Sequence, residues 1–332
     1  MVREHPMIDF TSFADALKSN PSMEKKFLLH EVLQFMDDNQ YDKSRVIHDM
    51  GEDAAAIAMD GSCILVATDA ISPDFVKRAP SSAGYSAILV GIEDITACGG
   101  MPLTAAIDVQ GPSIDVVKEM LGGAKKAAEQ FAISISRGHT SVREPGSFIT
   151  STVIGEVARD HYISAGGALP GDVLVLVWDP DGRRSPNGPF WDTVTFKSQA
   201  EVLSRREALH EIAERGLLHA CKDVSDSGVV GTTFMMLDYS RAGADVDVPG
   251  LLQAFGVEDL DDLLWWVTAF LTTGFVGSAY EAKFESIKEI CENHQLQATI
   301  IGRVVEGSQL AILDEGQQVI YDWQDTPIFP KD

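Results

Sequence analysis

Apolar residues recur at helical spacing in Leu28, Leu29, Val32, Leu33 and Met36. That period predicts an arm containing helix over residues 1–45, ended by Asn39-Gln40. The pattern then shortens. Residues 54–59 and 63–68 read as two strands, joined by the hairpin pair Asp60-Gly61. The Pro- and Ser-rich stretch 72–82 reads as a loop. Residues 85–98 return to helical spacing, with Ile88, Leu89, Ile92 and Ile95 on the apolar side. Gly99-Gly100 caps that helix and Pro102 prevents its continuation. A strand follows at 103–109, then a helix at 114–130 weakened by Gly122-Gly123, then strands at 132–136 and 148–156.

Turn chemistry at 165–167 and 169–172 leads into a continuous apolar strand at 173–178. The spacing places a domain boundary near 160–170, between a first domain at 46–162 and a second at 163–332. A Pro- and Gly-rich loop is expected at 179–189 and a polar helix at 197–215. A helix at 226–239 should open on a Ser/Asp cap, and another should occupy 281–293. The last strands fall near 297–304 and 309–321. Helices and strands alternate in both halves, so each should be α/β or α+β.

Composition narrows the partners. The 332 residues carry a formal charge of −24, which repels nucleic acid and anionic lipid. No apolar run approaches the roughly 20 residues of a membrane span. The start MVREHPMIDF lacks the apolar core of a secretory signal, so the expected location is the cytoplasm. Cys63, Cys98, Cys221 and Cys291 form no Cys-x-x-Cys pair. They read as reduced, mostly buried thiols rather than a zinc or disulfide framework. A nucleotide would bring anionic phosphates to an anionic protein, and divalent cations held by carboxylates reconcile the two.

Phosphate-loop, protein-kinase and Gly-x-Ser-x-Gly signatures are absent. What remains is a series of acids at element ends. Asp53 follows Gly51 and precedes a strand; Asp69 ends the next one, beside the Thr68 hydroxyl; Asp94 lies in the helix at 85–98. Asp223 and Asp226 share the run 222–228. Magnesium takes oxygen ligands and commonly bridges one or two carboxylates to phosphate. The candidate metal ligands are Asp53, Asp69, Asp94 and Asp226, although each alone is more often a cap or turn residue. Arg137-Gly138-His139-Thr140 follows a strand. It can cradle phosphate through backbone amides and the threonine hydroxyl, or be a plain turn with an exposed histidine. Asp94, His139 and Asp226 are the candidate catalytic residues, with Arg143 a further substrate-side candidate.

The order of these pieces resembles the superfamily of aminoimidazole ribonucleotide synthetase, selenophosphate synthetase, thiamine-monophosphate kinase and the hydrogenase-maturation dehydratase. The likeness runs through Gly51-Glu52-Asp53-Ala54-Ala55, Ala67-Thr68-Asp69, residues 80–84, Glu93-Asp94-Ile95 with Gly99-Gly100-Met101-Pro102, Gly138-His139-Thr140, Gly155-Glu156, Pro170-Gly171-Asp172 and residues 223–228. It implies a two-domain fold. The N-terminal sheet pairs with a second subunit's to form a barrel in a homodimer, and helices cover the C-terminal sheet. It further implies ATP in a cleft between domains, with its phosphates held through magnesium by Asp53, Asp69 and Asp94. Gly51, Thr68 and residues 137–140 would join the nucleotide site. The implied reaction moves phosphate from ATP to a small molecule.

The Gly-His-Thr run with Glu144-Pro145 looks closest to selenophosphate synthetase. That branch needs a Cys or selenocysteine and a Lys in an N-terminal glycine-rich loop, whereas residues 1–50 contain neither Cys nor Gly. The dehydratase branch's C-terminal Cys is absent from Ile328-Phe329-Pro330-Lys331-Asp332. Leu264-Trp265-Trp266-Val267-Thr268 stands where the thiamine kinase branch carries an acidic, aromatic run. The resemblance therefore implies a separate synthetase-related branch. Two alternatives stand beside an ATP-dependent phosphotransferase: a selenophosphate synthetase-like enzyme without the usual N-terminal Cys and Lys, and a non-catalytic nucleotide-binding or scaffold protein.

Overall fold

The computed structural model describes residues 8–37, 44–143, 145–314 and 316–330. The expected stop at Asn39-Gln40 and the residue Glu144 lie outside them. The arm forms three helices, α1 (Phe10–Lys18), α2 (Pro21–Phe27) and α3 (Leu29–Asp37). Asp9 and Asn20 cap the first two through their side chains, and Pro21 takes the first helical position. Phe13, Leu17 and Met23 are buried in the core of the chain's second half. The Tyr321 hydroxyl donates to the Leu17 carbonyl at 2.6 Å. The helical spacing found at 28–36 is real, but Leu28, Leu29, Val32 and Met36 of that set stay exposed, and Leu33 packs against the core.

Next come β1 (Val46–His48), β2 (Ala55–Ala58), β3 (Ser62–Ala70), α4 (Pro73–Arg78), α5 (Pro80–Ala97), β4 (Met101–Gly111), α6 (Ile114–Gln130), β5 (Ser134–Val142) and β6 (Phe148–Ala158). The strands form a sheet in the order β1-β2-β3-β6-β4-β5. Its pairs are antiparallel except β4 with β5, which α6 connects as a crossover. Helices α5 and α6 cover one face. Gly84 of α5 lies on the Met120 carbonyl and Gly123 of α6 on the Ser81 carbonyl, so a Cβ at either would overlap backbone. The expected weak point at Gly122-Gly123 is thus a close helix crossing. The expected loop at 72–82 is also corrected. Pro73 and Pro80 each begin a helix, where the missing N–H costs nothing. The strand expected at 132–136 runs on to Val142, so residues 137–140 are strand and not a turn.

The remainder comprises β7 (Val173–Trp178), β8 (Arg183–Arg184), β9 (Phe190–Asp192), α7 (Gln199–Glu214), β10 (Ala220–Asp223), α8 (Gly228–Ser240), β11 (Gly243–Asp247), α9 (Val248–Phe255), α10 (Leu260–Thr268), β12 (Phe270–Leu271), β13 (Gly274–Ala279), α11 (Phe284–Asn293), β14 (Gln297–Val305), β15 (Gln309–Leu313) and β16 (Gln317–Asp322). The larger sheet runs β10-β13-β7-β14-β11-β15-β16, and β12-β9-β8 form a small one. Strand β7 explains its own sequence. Leu174, Leu176 and Trp178 enter the core on one face, and Val173, Val175 and Val177 enter the core on the other. The stretch 309–321 is two antiparallel strands. Helix α8 starts at Gly228, and Ser227 makes no side-chain cap there. No helix among the described residues is long and apolar enough to cross a membrane.

A carboxylate cluster as candidate active site

Three aspartates from distant segments converge where the two sheets meet. One carboxylate oxygen each from Asp53, Asp94 and Asp223 lies within 4.8 Å of the others. Asp53 is placed by a tight turn. Gly51 has φ +114°, and a Cβ there would strike the Tyr239 ring. The neighbouring Glu52 pins the turn from within: its buried carboxylate accepts from Ser164 Oγ and Ala165 N, both at 2.6 Å, and lies 3.1 Å from His48 Nδ1. Burial pushes Glu52 toward a higher pKa, but the bonds from His48, Ser164 and Ala165 outweigh it and hold the group below its ordinary value.

Asp69 arrives by strand alternation. Cys63, Leu65 and Ala67 of β3 face the helix-covered side, so Asp69 faces it too, near enough for its charge to act on Asp94. Thr68 therefore points to the opposite face, where its hydroxyl meets Thr152 Oγ1 at 3.0 Å. Asp94 projects from α5 between the buried Ile92 and Ile95. Asp223 ends β10, and its N–H donates to Asp53 Oδ2 at 3.2 Å. Lys222 beside it places Nζ on Asp53 Oδ1.

Crowding these acids has an electrostatic cost. Burial, then repulsion from Asp223, Asp69 and Asp53, holds the Asp94 carboxyl well above the usual range. Asp223 is raised in the same way by burial and Asp53. For Asp53, burial raises the pKa against the pull of Lys222. A dication relieves this repulsion. An octahedral magnesium site has opposite oxygens about 4.2 Å apart, so this all-oxygen donor set fits that ion. Cys98 and Cys221 are buried close by. Burial first, then Asp53, pushes both thiols well up, so they stay protonated.

Glu93 precedes Asp94 and is buried against Arg206 of α7. Burial pushes its carboxyl up to about 7 despite the guanidinium. This contact holds α5 to the second half. The opposite end of α5 borders a cavity of about 310 Å³, where Ser81, Ser82 and Tyr85 face Lys126, Arg183 and Asn187.

Several expected residues lie elsewhere. Asp226 is exposed and outside the group; Asp223, three residues earlier, takes the place expected of it. Residues 137–140 are not beside the carboxylates of their own chain. Gly138 shares a row with Asp69 through Ile107 and Ser151, three strands and roughly 14 Å away. His139 is exposed, 3.4 Å from Ser141 Oγ. Arg143 donates to Gln110 at 2.6 Å. Glu52 and Lys222 were not anticipated. Glu52 stands in the run 51–55 that carries the resemblance, with no role attached to it there, and the signal for Lys222 is its adjacency to Asp223.

Residues 51–157 match the family described as AIR synthase related protein, N-terminal domain, and residues 170–315 match its C-terminal domain. The uncharacterized protein MJ0640 of Methanocaldococcus jannaschii is 32% identical, covering 90% of this chain and 93% of its own length. A selenide, water dikinase of Caldanaerobacter subterraneus subsp. tengcongensis is 29% identical over 63% of this chain and 62% of its own. Among solved structures, AaThiL complexed with AMPPCP and TMP superposes with a TM-score of 0.62 at 17% identity, over 88% of this chain and 95% of that one. T. maritima PurL complexed with ATP gives 0.69 at 15% identity over 97% of this chain, which spans only 56% of that chain. Those likenesses bear out the two-domain α/β fold implied by the sequence resemblance. Because both halves match and one relative aligns over 90% of the length, the chain is a member of the AIR synthase related protein family.

Proposed function

We propose that this protein is a magnesium-dependent enzyme that moves phosphate from ATP to a small molecule. The convergence of Asp53, Asp94 and Asp223 carries the proposal. These side chains, supported by Asp69, would hold the cation; Glu52 and Gly51 keep Asp53 in place. Magnesium, when bound, would neutralise charge on the phosphates. Family relatives solved with ATP and AMPPCP support the choice of nucleotide.

The working unit is proposed to be a homodimer. Strand β5 is a sheet edge exposed along nearly its whole length, and such an edge invites pairing. Four free, buried cysteines suit a reducing compartment, and the cytoplasm is proposed as the location. The buried, protonated thiols of Cys98 and Cys221 weigh against selenide chemistry.

The test is a metabolite screen with ATP and magnesium, following ADP, AMP and phosphate separately. Consumption that requires one metabolite and disappears in Asp94→Ala supports the enzyme. Tight ATP binding without turnover in any pool favours a scaffold, and selenide-dependent AMP release would restore the selenophosphate alternative.

A further inference from the structure

Among the candidate ligands, Asp53 has both oxygens engaged. Oδ1 meets Lys222 Nζ and Oδ2 accepts the Asp223 N–H. The Lys222 side chain is only 8% exposed, and the charges of Asp223 and Asp94 act on it as well. A buried ammonium thus stands where a cation coordinated by Asp53 would need room.

We infer that Lys222 is a resident counter-ion. It occupies the carboxylate site in the absence of nucleotide, yields Asp53 to an incoming metal–polyphosphate complex, and then turns its ammonium to a phosphate oxygen. The inference rests on the proposed metal–nucleotide reading and deepens it. Competition for the same carboxylates supplies the reason. Asp53 pairs with Lys222, and Asp94 and Asp223 are the other anions whose charges act on it. A bare dication drawn to all three would compete with that ammonium for each of them. Polyphosphate brings anionic oxygens with the metal, so the freed ammonium gains a new partner. Lysine suits such a move because its charge is compact and its four-carbon stem flexible. The ammonium stays protonated throughout; it changes partners.

Metal and nucleotide should therefore bind with strong mutual coupling. The test is Mn²⁺ binding, by calorimetry and electron paramagnetic resonance, with and without a non-hydrolysable ATP analogue. The wild type should bind Mn²⁺ at least about tenfold more tightly with the analogue than without it. Lys222→Met keeps the apolar stem and removes the charge. It should tighten Mn²⁺ binding without nucleotide at least about tenfold and shrink the coupling to less than about threefold. Lys222→Gln, with thermal unfolding to verify folding, should do the same, and Lys222→Arg should keep the coupling. Unchanged or weaker metal binding in both neutral variants, with intact coupling in the wild type, overturns the counter-ion role and leaves the metal–nucleotide site standing. A wild type that binds no Mn²⁺ even with the analogue overturns both.

Discussion

The two sheets solve burial in opposite ways. The sheet around β7 is covered on both faces, and its inner strand β7 has no exposed side chain. The sheet around β4 is covered on one face by α5 and α6. On the other, Met101, Leu103 and Phe148 are exposed. The first arrangement is complete within one chain, while the second leaves an apolar face and the edge β5 without cover. The carboxylates belong to neither half alone: Asp53, Asp69 and Asp94 come from the half built around β4, and Asp223 from the sheet built around β7. Site geometry therefore depends on how the two halves sit together, and that placement is held by buried ion pairs such as Glu93–Arg206 and Lys222–Asp53.

The largest expected effect tests this shared ownership. Asp94→Ala or Asp223→Ala should cut ATP turnover by about 10²–10³, whereas the exposed Asp226→Ala should stay within about twofold. Steady-state rates decide it, and equal losses at 223 and 226 would break the assignment. Next, Leu176→Ala in the fully covered sheet should cost about 2–5 kcal/mol. Leu103→Ala on the open face should cost under about 1 kcal/mol in the monomer. Denaturant unfolding measures both. Sedimentation gives the third contrast. The wild type should run as a dimer at micromolar concentration and Leu103→Asp largely as a monomer, while a surface change on α7 such as Glu207→Gln should leave the mass alone.

The smallest effect is in pH. Asp94 and Asp223 sit well above 3.8 in the folded protein. The folded state therefore holds more protons than the unfolded chain over the range from about 4 upward, and these groups make stability fall as pH rises. Asp94→Asn removes one of them. Its melting temperature should exceed the wild type's by an amount that grows from pH 5 to pH 8. A constant difference would contradict the crowding.

Legibility in the sequence followed the physics of each element. Residues 114–130 and 173–178 are found with the observed bounds, since amphipathic period and continuous apolarity are local properties. The stretch 72–82 is misread because Pro and Ser serve both loops and helix starts, and only context separates them. The acid run 222–228 shows its chemistry but not which acid matters. Strand β10 is four residues long, contains Lys222 and Asp223, and owes its place to pairing with β13. Residues 137–140 look like a turn because of Gly138, since Gly is common in turns; register with β4 makes them strand. Asp53, Asp69 and Asp94 are visible from spacing and resemblance, and their convergence with Asp223 is a tertiary fact.

The buried contact of Glu93 with Arg206 has an evolutionary corollary. Removing Glu93 strands Arg206 as an unpaired buried charge, a defect of about 3–5 kcal/mol, and removing Arg206 leaves a buried carboxyl without its partner. Descendants can seldom pass through that intermediate, so the two positions should be inherited as a unit, both charged or both apolar, across any lineage that keeps this junction.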